Sequence, residues 1–114
     1  MTSELTEHHE ANAALVQQRI GMGDHPASPR PLDHLAVVPR RRAAAVQSDL
    51  EAAGVRVDGV QRGLRRARIE FSRIDAADLD TADAFTREIV EIVGRHGGGY
   101  DGWAGYLVAG PAGG

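Results

Sequence analysis

Three glycines near the C-terminus have the spacing of a phosphate-binding loop. Gly97, Gly99 and Gly102 satisfy the pattern G-x-G-x-x-G, in which amides at a helix N-terminus bind a pyrophosphate. That chemistry requires a strand before the glycines and a helix after them. Here an apolar helical repeat comes first, and a strand pattern starts at Tyr100. Because the order is reversed, the spacing does not predict nucleotide binding.

Histidine and aspartate side chains supply the next candidate chemistry. Six residues are possible metal ligands: Asp24, His25, Asp33, His34, His96 and Asp101. They are scattered around a proline-rich connector and lack the dense spacing of metal sites. The chain also has no Cys, no Gly-x-Ser-x-Gly and no His-Glu-x-x-His, so known catalytic patterns are missing. We therefore predict no enzyme activity, no metal and no cofactor.

Arginine offers a third kind of chemistry, contact with nucleic acid. All 13 basic residues are Arg, with 9 Arg against 4 acids in residues 40–73 and a net charge of −3 for the whole chain. Such a basic block can bind phosphates. Phe71 lies in phase with the apolar side of its predicted strand, so bases would lack an aromatic stacking platform. RNA binding is therefore the alternative function, through Arg40, Arg41, Arg42, Arg66 and Arg68.

The apolar periodicity predicts one helix followed by the order β-α-β-β-α-β. The helices are expected at about residues 6–20, 40–53 and 81–96, and the strands at about residues 33–38, 55–61, 64–74 and 100–108. Thr6 and Asp80 are the predicted N-caps. Two βαβ units joined by a hairpin indicate an α+β, ferredoxin-like sandwich: a four-stranded antiparallel sheet with two helices on one face, plus the N-terminal helix.

The same periodicity predicts which side chains form the core. Five residues should lie together between the sheet and two helices: Val37, Ile69, Phe71, Phe85 and Ile89. We expect Gly97 or Gly98 to adopt a positive φ, because glycine commonly ends a helix in this way. We also expect Tyr100 or Trp103 to be buried, since each ring offers a large apolar area.

Two segments resemble the ribonuclease E inhibitor family RraB. One is His96-Gly97-Gly98, a variable residue, then Tyr100-Asp101-Gly102-Trp103; the other is Asp24 followed by Pro29-Arg30-Pro31-Leu32-Asp33-His34. Their separation also fits, so the resemblance covers about residues 16–108. It marks ten residues as a structural signature: Arg30, Asp33, His34, His96, Gly97, Gly98, Tyr100, Asp101, Gly102 and Trp103.

The resemblance implies a similar fold and a protein that does no chemistry itself. Members of that family bind ribonuclease E away from its catalytic centre and lower RNA cleavage. We therefore expect a ribonuclease E-type RNase as the protein partner. The segment from Asp75 to Glu91 is the candidate for steering a basic partner, because opposite charges raise the association rate. Its acids are Asp75, Asp78, Asp80, Asp83, Glu88 and Glu91.

The length of 114 residues predicts a single domain. We place it at residues 1–109, with the N-terminal helix at about 6–20, the ferredoxin-like core at about 32–108 and a flexible tail at 110–114. No apolar run approaches the roughly 20 residues of a membrane span. The N-terminus also lacks the pattern of a signal peptide. The expected location is the cytoplasm, without membrane contact.

Overall fold

The structure, a computed structural model, describes residues 2–110 and forms four strands and three α-helices. The elements are α1 Thr2–Gly21, β1 Arg30–Pro39, a 3-10 turn Arg40–Arg42, α2 Ala43–Ala52, β2 Arg56–Arg62, β3 Arg66–Asp75, α3 Leu79–Gly94 and β4 Gly99–Ala104. None of the helices in this described range has the length and apolar content needed to cross a membrane. Apart from Gly110, the predicted tail at 110–114 lies outside the described residues.

The four strands form one antiparallel sheet in the order β2-β3-β1-β4. β1 and β3 occupy the centre and pair over ten residues, from Arg30 opposite Asp75 to Pro39 opposite Arg66. β2 and β4 are the two edge strands. The predicted α+β fold with a four-stranded antiparallel sheet is therefore confirmed.

The core lies on one face of the sheet, beneath α2 and α3. Alternation along β3 buries Ile69 and Phe71, and the apolar stripe of α3 buries Phe85 and Ile89, as the sequence predicts. The stripe of α2 is buried as well, through Ala43, Val46 and Leu50. Burial of such stripes is the main stabilising contribution to a fold of this size.

Val37 is the exception, and its predicted place in the core is wrong. The buried positions of β1 are Arg30, Leu32, His34, Ala36 and Val38, and Val37 alternates with them onto the opposite face. The buried face of the strand thus includes two polar residues, Arg30 and His34. Hydrophobicity alone could not indicate that phase, because a one-residue shift exchanges the two faces of a strand.

Several predicted boundaries are also wrong. α1 begins at Thr2, so Thr6 is not its N-cap. Asp78 caps α3 by accepting hydrogen bonds from the Thr81 amide at 3.0 Å and its hydroxyl at 2.7 Å, which leaves Asp80 in the first turn. Asp78 has the extended backbone of an N-cap. β4 ends at Ala104 rather than near residue 108.

The α1 helix packs on the domain through a partly polar stripe. Its buried residues are Asn12, Val16 and Arg19, at helical spacings of four and three. Ile20, four residues after Val16, is exposed. The polar members of this stripe donate hydrogen bonds to the rest of the domain, and of these groups the buried Arg19 Nε is left without a hydrogen-bond partner in the described chain.

Two glycines close the turn between α3 and β4. Gly97 adopts φ +75°, which confirms the predicted helix end, and the Gly98 amide donates to the Val93 carbonyl at 2.9 Å. Gly98 has a different role. A Cβ at that position would lie 2.6 Å from Val38 Cγ1 and 3.0 Å from the Val37 carbonyl. Only glycine therefore allows this close approach to β1.

We predict that Gly98→Ala destabilises the domain and that Gly99→Ala does not. The added methyl group at residue 98 must displace the buried Val38, at a cost of about 1–3 kcal/mol for overpacking. A Cβ at Gly99 meets nothing within 4 Å, so this neighbour is the matched control. Urea unfolding of both variants measures the difference. Equal stability of the two would contradict the tight contact.

Candidate binding surface

The motif Tyr100-Asp101-Gly102-Trp103 contains a β-bulge that directs both aromatic rings inward. Residues three apart on a regular strand face opposite sides. Here Tyr100 pairs with Ala36 and Trp103 with His34, and the register shifts between these pairs. Gly102 has φ +108°, a conformation that favours glycine. The bulge explains why Tyr100 and Trp103 are both buried, at 6% and 8% exposure.

Trp103 connects β4 to α1 and α3. Its Nε1 donates to Asn12 Oδ1 at 2.9 Å, and Asn12 Nδ2 donates in turn to Thr86 Oγ1 at 3.1 Å. The indole also meets the Phe85 ring edge-on at 5.6 Å. The Arg19 guanidinium lies over it at 5.5 Å, within cation–π range. This ring therefore fixes α1 against the sheet.

Arg30 is a buried clamp at the start of β1. Its Nη1 donates to Asp24 Oδ1 at 2.9 Å, and its Nε and Nη2 donate to the carbonyls of Ser28 and His25 at 2.7 and 2.9 Å. Asp24 also accepts from the Val108 amide at 2.8 Å. Burial opposes ionisation of Asp24, yet these hydrogen bonds and the Arg30 charge lower its pKa. The pair joins the connector to the segment after β4.

His34 is a buried neutral histidine between aromatic rings. It stacks on Phe71 at 5.2 Å and meets Phe85 edge-on at 5.0 Å. Its Nδ1 and the Tyr100 hydroxyl share a hydrogen bond of 2.7 Å. Burial lowers the pKa of His34 from 6.5 to about 4, and the Arg73 charge adds to the effect. Burial also raises the pKa of Tyr100.

The histidines and aspartates weighed as metal ligands are distributed among separate contacts. His25 Nδ1 bonds Ser28 Oγ at 2.8 Å, and His96 Nε2 bonds Asp49 Oδ2 at 2.8 Å. Asp24 forms a hydrogen bond with Arg30, and His34 forms one with Tyr100. Among the described residues, no three such side chains are grouped to hold an ion.

Two charged signature residues, Asp33 and Asp101, differ from Arg30, because their side chains form no hydrogen bond or ion pair in the described chain. Both are exposed on the face of the sheet opposite the core. They line a groove of about 480 Å³ with Asp58, Glu70 and Leu35. Leu35 pairs with Glu70 across β1 and β3, and Asp33 pairs with Ala104 across β1 and β4. We call this set of five side chains the acidic groove.

The acidic groove has the electrostatics of a site for cations or basic side chains. Asp33, Glu70 and Asp101 have no hydrogen bond or ion pair within residues 2–110, and Asp58 has one exposed pair, with Arg56 at 3.1 Å. Leu35 supplies an apolar floor. Carboxylates left free beside one another repel, so positive charge would be favoured there.

Two of the four carboxylates of the acidic groove, Asp33 and Asp101, are predicted through the family resemblance. The other two, Asp58 and Glu70, are not. The alternation of Glu70 with buried Ile69 and Phe71 does place Glu70 on the open face. Its proximity to Asp33 and Asp101 depends on strand order and register, which a single sequence does not show.

The acids of the segment from Asp75 to Glu91 are largely engaged within the domain. Arg73 bonds Asp75 at 2.9 Å and Glu88 at 3.0 Å, and Asp78 caps α3. Asp83 contacts Asn12 at 3.1 Å and His9 at 2.6 Å. Asp80 and Glu91 are exposed without such partners in the described chain. The structure thus leaves two of the six candidates free to meet a partner.

The arginines proposed for RNA lie at the other end of the same sheet face. Arg66 and Arg68 alternate outward along β3, and Arg68 pairs with Val37 of β1. Arg40, Arg41 and Arg42 follow β1 directly and are exposed. None of the outward-facing residues of β1 and β3 is aromatic. This surface can contact phosphates but provides no ring on which a base could stack.

A family assignment follows from the sequence match. Residues 9–104 match the profile of RraB, described as Regulator of ribonuclease activity B. That match covers well over half of the chain. This chain belongs to the RraB family. The ten signature residues of this RraB-family chain all lie inside the matched range.

The other two comparisons do not add to the family assignment. A search of curated proteins finds no match to this RraB-family chain. A crystal structure of a protein from Thermus thermophilus is similar over 69% of the chain, with 20% identity and a TM-score of 0.47. The chain spans 12% of the length of that protein.

We predict that Arg30→Met destabilises the domain far more than Arg56→Met. Removing Arg30 leaves the buried Asp24 with only the longer ion-pair contact to Arg19 at 3.8 Å, and breaking a buried pair costs about 3–5 kcal/mol. The Arg56–Asp58 pair is an exposed control, with Arg56 84% exposed, and such pairs contribute about 1 kcal/mol or less. Denaturant unfolding of both variants measures the gap. Similar losses would show that Arg30 is not a clamp.

We also predict a loss of stability in acid that depends on His34. The folded pKa is about 4 and the unfolded value is about 6.5, so the unfolded chain takes up the proton first. The contribution of neutral His34 to the free energy of unfolding is complete above about pH 6.5. It is lost as the pH falls to about 4, which lowers the free energy of unfolding by about 3 kcal/mol.

Urea unfolding at about pH 7 and about pH 4 measures this loss. The control is His34→Phe combined with Tyr100→Phe, which removes the histidine without leaving the hydroxyl unpaired. Carboxylates titrate in the same window in both proteins, so the difference between them isolates His34. An identical pH dependence in the control would contradict the assignment.

Proposed function

We propose that this chain is a non-catalytic regulator that binds a ribonuclease E-type RNase and lowers its cleavage of RNA. The family description, a regulator of ribonuclease activity, supports regulation in general. The ribonuclease E-type partner comes from the resemblance. We place the action in the cytoplasm, where such a partner would degrade RNA. The observation that carries the proposal is the acidic groove, an unpaired surface suited to a basic partner.

The acidic groove is a better docking surface than the α3 acids. Asp33, Glu70 and Asp101 have no partners to lose within the described part of the chain, whereas Asp75 and Glu88 would have to release Arg73. Exchanging one ion pair for another brings little net gain. The groove also has Leu35 at its floor, so a basic side chain could pack its aliphatic stem there while its charge meets the carboxylates.

An extended basic segment is the form of partner that fits this site. The groove crosses β1, β3 and both edge strands, so it is longer than a pocket for one side chain. Standard interfaces bury roughly 800 Å² per partner, which requires contacts beyond the groove itself. The remaining open face of β1 and β3 is available for them.

The fold and domain assignments are part of the same proposal. We infer that the β-α-β-β-α-β core is ferredoxin-like; the strand order β2-β3-β1-β4 with antiparallel neighbours supports this. We also infer one domain over residues 1–109. The hydrogen bonds from Trp103 to Asn12 and from Arg19 to the Gly105 carbonyl support it, because they tie α1 to the sheet.

The alternative of a sheet that binds RNA directly is less well supported. The same face that carries Arg66 and Arg68 also carries Asp33, Glu70 and Asp101. Carboxylates there would repel a phosphate backbone crossing the sheet. The missing aromatic residues remove the stacking by which comparable sheets bind bases.

We predict that neutralising the acidic groove weakens binding to a ribonuclease E-type RNase. The variant is Asp33→Asn, Glu70→Gln, Asp101→Asn. Exposed pairs are worth about 0.5 kcal/mol each, so the expected loss is roughly tenfold in affinity. The loss should appear mainly in the association rate and shrink at high salt. Titration calorimetry with nuclease-treated proteins, with stopped-flow kinetics, measures both.

The matched control removes three other exposed carboxylates, through Glu51→Gln, Asp80→Asn and Glu91→Gln. It has the same net charge as the groove variant and should bind like the unaltered protein. Loss of binding in this control alone would place the contact on the helices. No affinity of the unaltered protein for any such RNase would refute the regulator function.

A further inference from the structure

A second groove lies at the basic end of the domain. It has a volume of about 580 Å³ and is lined by Arg40, Arg41, Arg62, Leu64 and Arg65. We call it the arginine groove. Antiparallel pairing explains its formation, because Pro39 at the end of β1 lies opposite Arg66 at the start of β3. The Arg40 amide extends that pairing with a 2.8 Å hydrogen bond to the Arg65 carbonyl.

The arginines of this groove are free of carboxylates. Within residues 2–110, four of the 13 arginines form an ion pair with Asp or Glu: Arg19, Arg30, Arg56 and Arg73. None of the four groove arginines does so. Arg40 makes one long contact, from Nη1 to the Gly63 carbonyl at 3.3 Å. Their positive charge is thus available to a ligand.

The fold holds these charges in an unfavourable place. Arg40, Arg41 and Arg42 form the turn that leads into α2, where the helix dipole is positive and a cation is disfavoured. No side chain caps this turn or the start of α2. An anion in the groove would relieve both the repulsion among the arginines and their conflict with the dipole.

Phosphate groups are the anions that suit this site. A guanidinium donates two parallel hydrogen bonds to a phosphate, and several guanidiniums along a groove match the repeated charges of a nucleic-acid backbone. Leu64, at 88% exposure, is the apolar residue of the groove, and no aromatic ring lines it. Such a site would follow the backbone without reading the bases.

We propose that the arginine groove binds the phosphate backbone of single-stranded RNA. The choice of RNA rests on the proposed function, since RNA is the substrate of the partner. The arginine groove and the acidic groove share no lining residue. One molecule can therefore hold a basic protein segment at one end and RNA at the other, so it would regulate an RNase that is engaged with its substrate.

The test measures binding of the purified protein to a fluorescent single-stranded RNA of about 15 nucleotides, by anisotropy, at about 50 to 200 mM salt. Four neutralised phosphates predict a slope of log K against log salt of about −3, which is roughly a 50-fold loss over that range. Arg41→Glu with Arg65→Glu should weaken binding at least about tenfold and flatten the slope by about 1.4.

The matched control is Arg87→Glu with Arg95→Glu. These exposed arginines lie outside the groove and form no ion pair in the described chain, and the change in net charge is the same. The control should keep its affinity for RNA. Equal weakening of both variants would overturn the site in favour of diffuse charge. Tighter binding of a polyglutamate competitor than of RNA would overturn the ligand in favour of an acidic protein.

Absence of RNA binding by the unaltered protein at about 50 mM salt would also overturn the inference. Binding of each variant to the RNase, measured with nuclease-treated proteins, separates this result from the regulator function. A variant of the arginine groove that loses its affinity for RNA but still binds the RNase supports both proposals. An unaltered protein that binds RNA but no RNase refutes the regulator function alone.

Discussion

The buried pair of Arg30 and Asp24 is the interaction on which the rest of the structure depends. A guanidinium without exposed surface must satisfy its donors inside the protein. Arg30 does so with Asp24 and with the carbonyls of Ser28 and His25, which belong to the proline-rich connector. Breaking one side of such a pair is far more damaging than replacing both. The pair therefore ties the start of β1 to the connector.

The register of β1 then determines both surfaces. With Arg30 inward, Leu32, His34 and Ala36 are inward as well, and Asp33 and Leu35 must face out. β1 also ends where the 3-10 turn meets the β2–β3 hairpin, which brings Arg40 beside Arg65. The alternation and register of β1 therefore relate both grooves to the face on which Arg30 is buried, although Arg30 lines neither groove.

The sequence predicts the type and order of the elements well, because the apolar repeats of α2, α3 and β3 are long and regular. The sequence does not predict which polar residues are buried. Asn12, Arg19, Arg30 and His34 occupy core positions that a hydrophobic pattern assigns to solvent, and this is why the phase of β1 was wrong. Their burial is possible only because partners such as Trp103 and Tyr100 come from distant segments, which a local pattern cannot show.

The candidate site was only partly predictable for a related reason. Asp33 and Asp101 belong to signature segments, but their neighbours Asp58 and Glu70 come from other strands. Free carboxylates gathered in one groove do not stabilise the fold, because like charges repel one another at separations shorter than the Debye length, which is roughly 8 Å at physiological salt. The arginines beside α2 likewise oppose its dipole. Because these charges oppose the fold rather than stabilise it, we propose both grooves as binding surfaces.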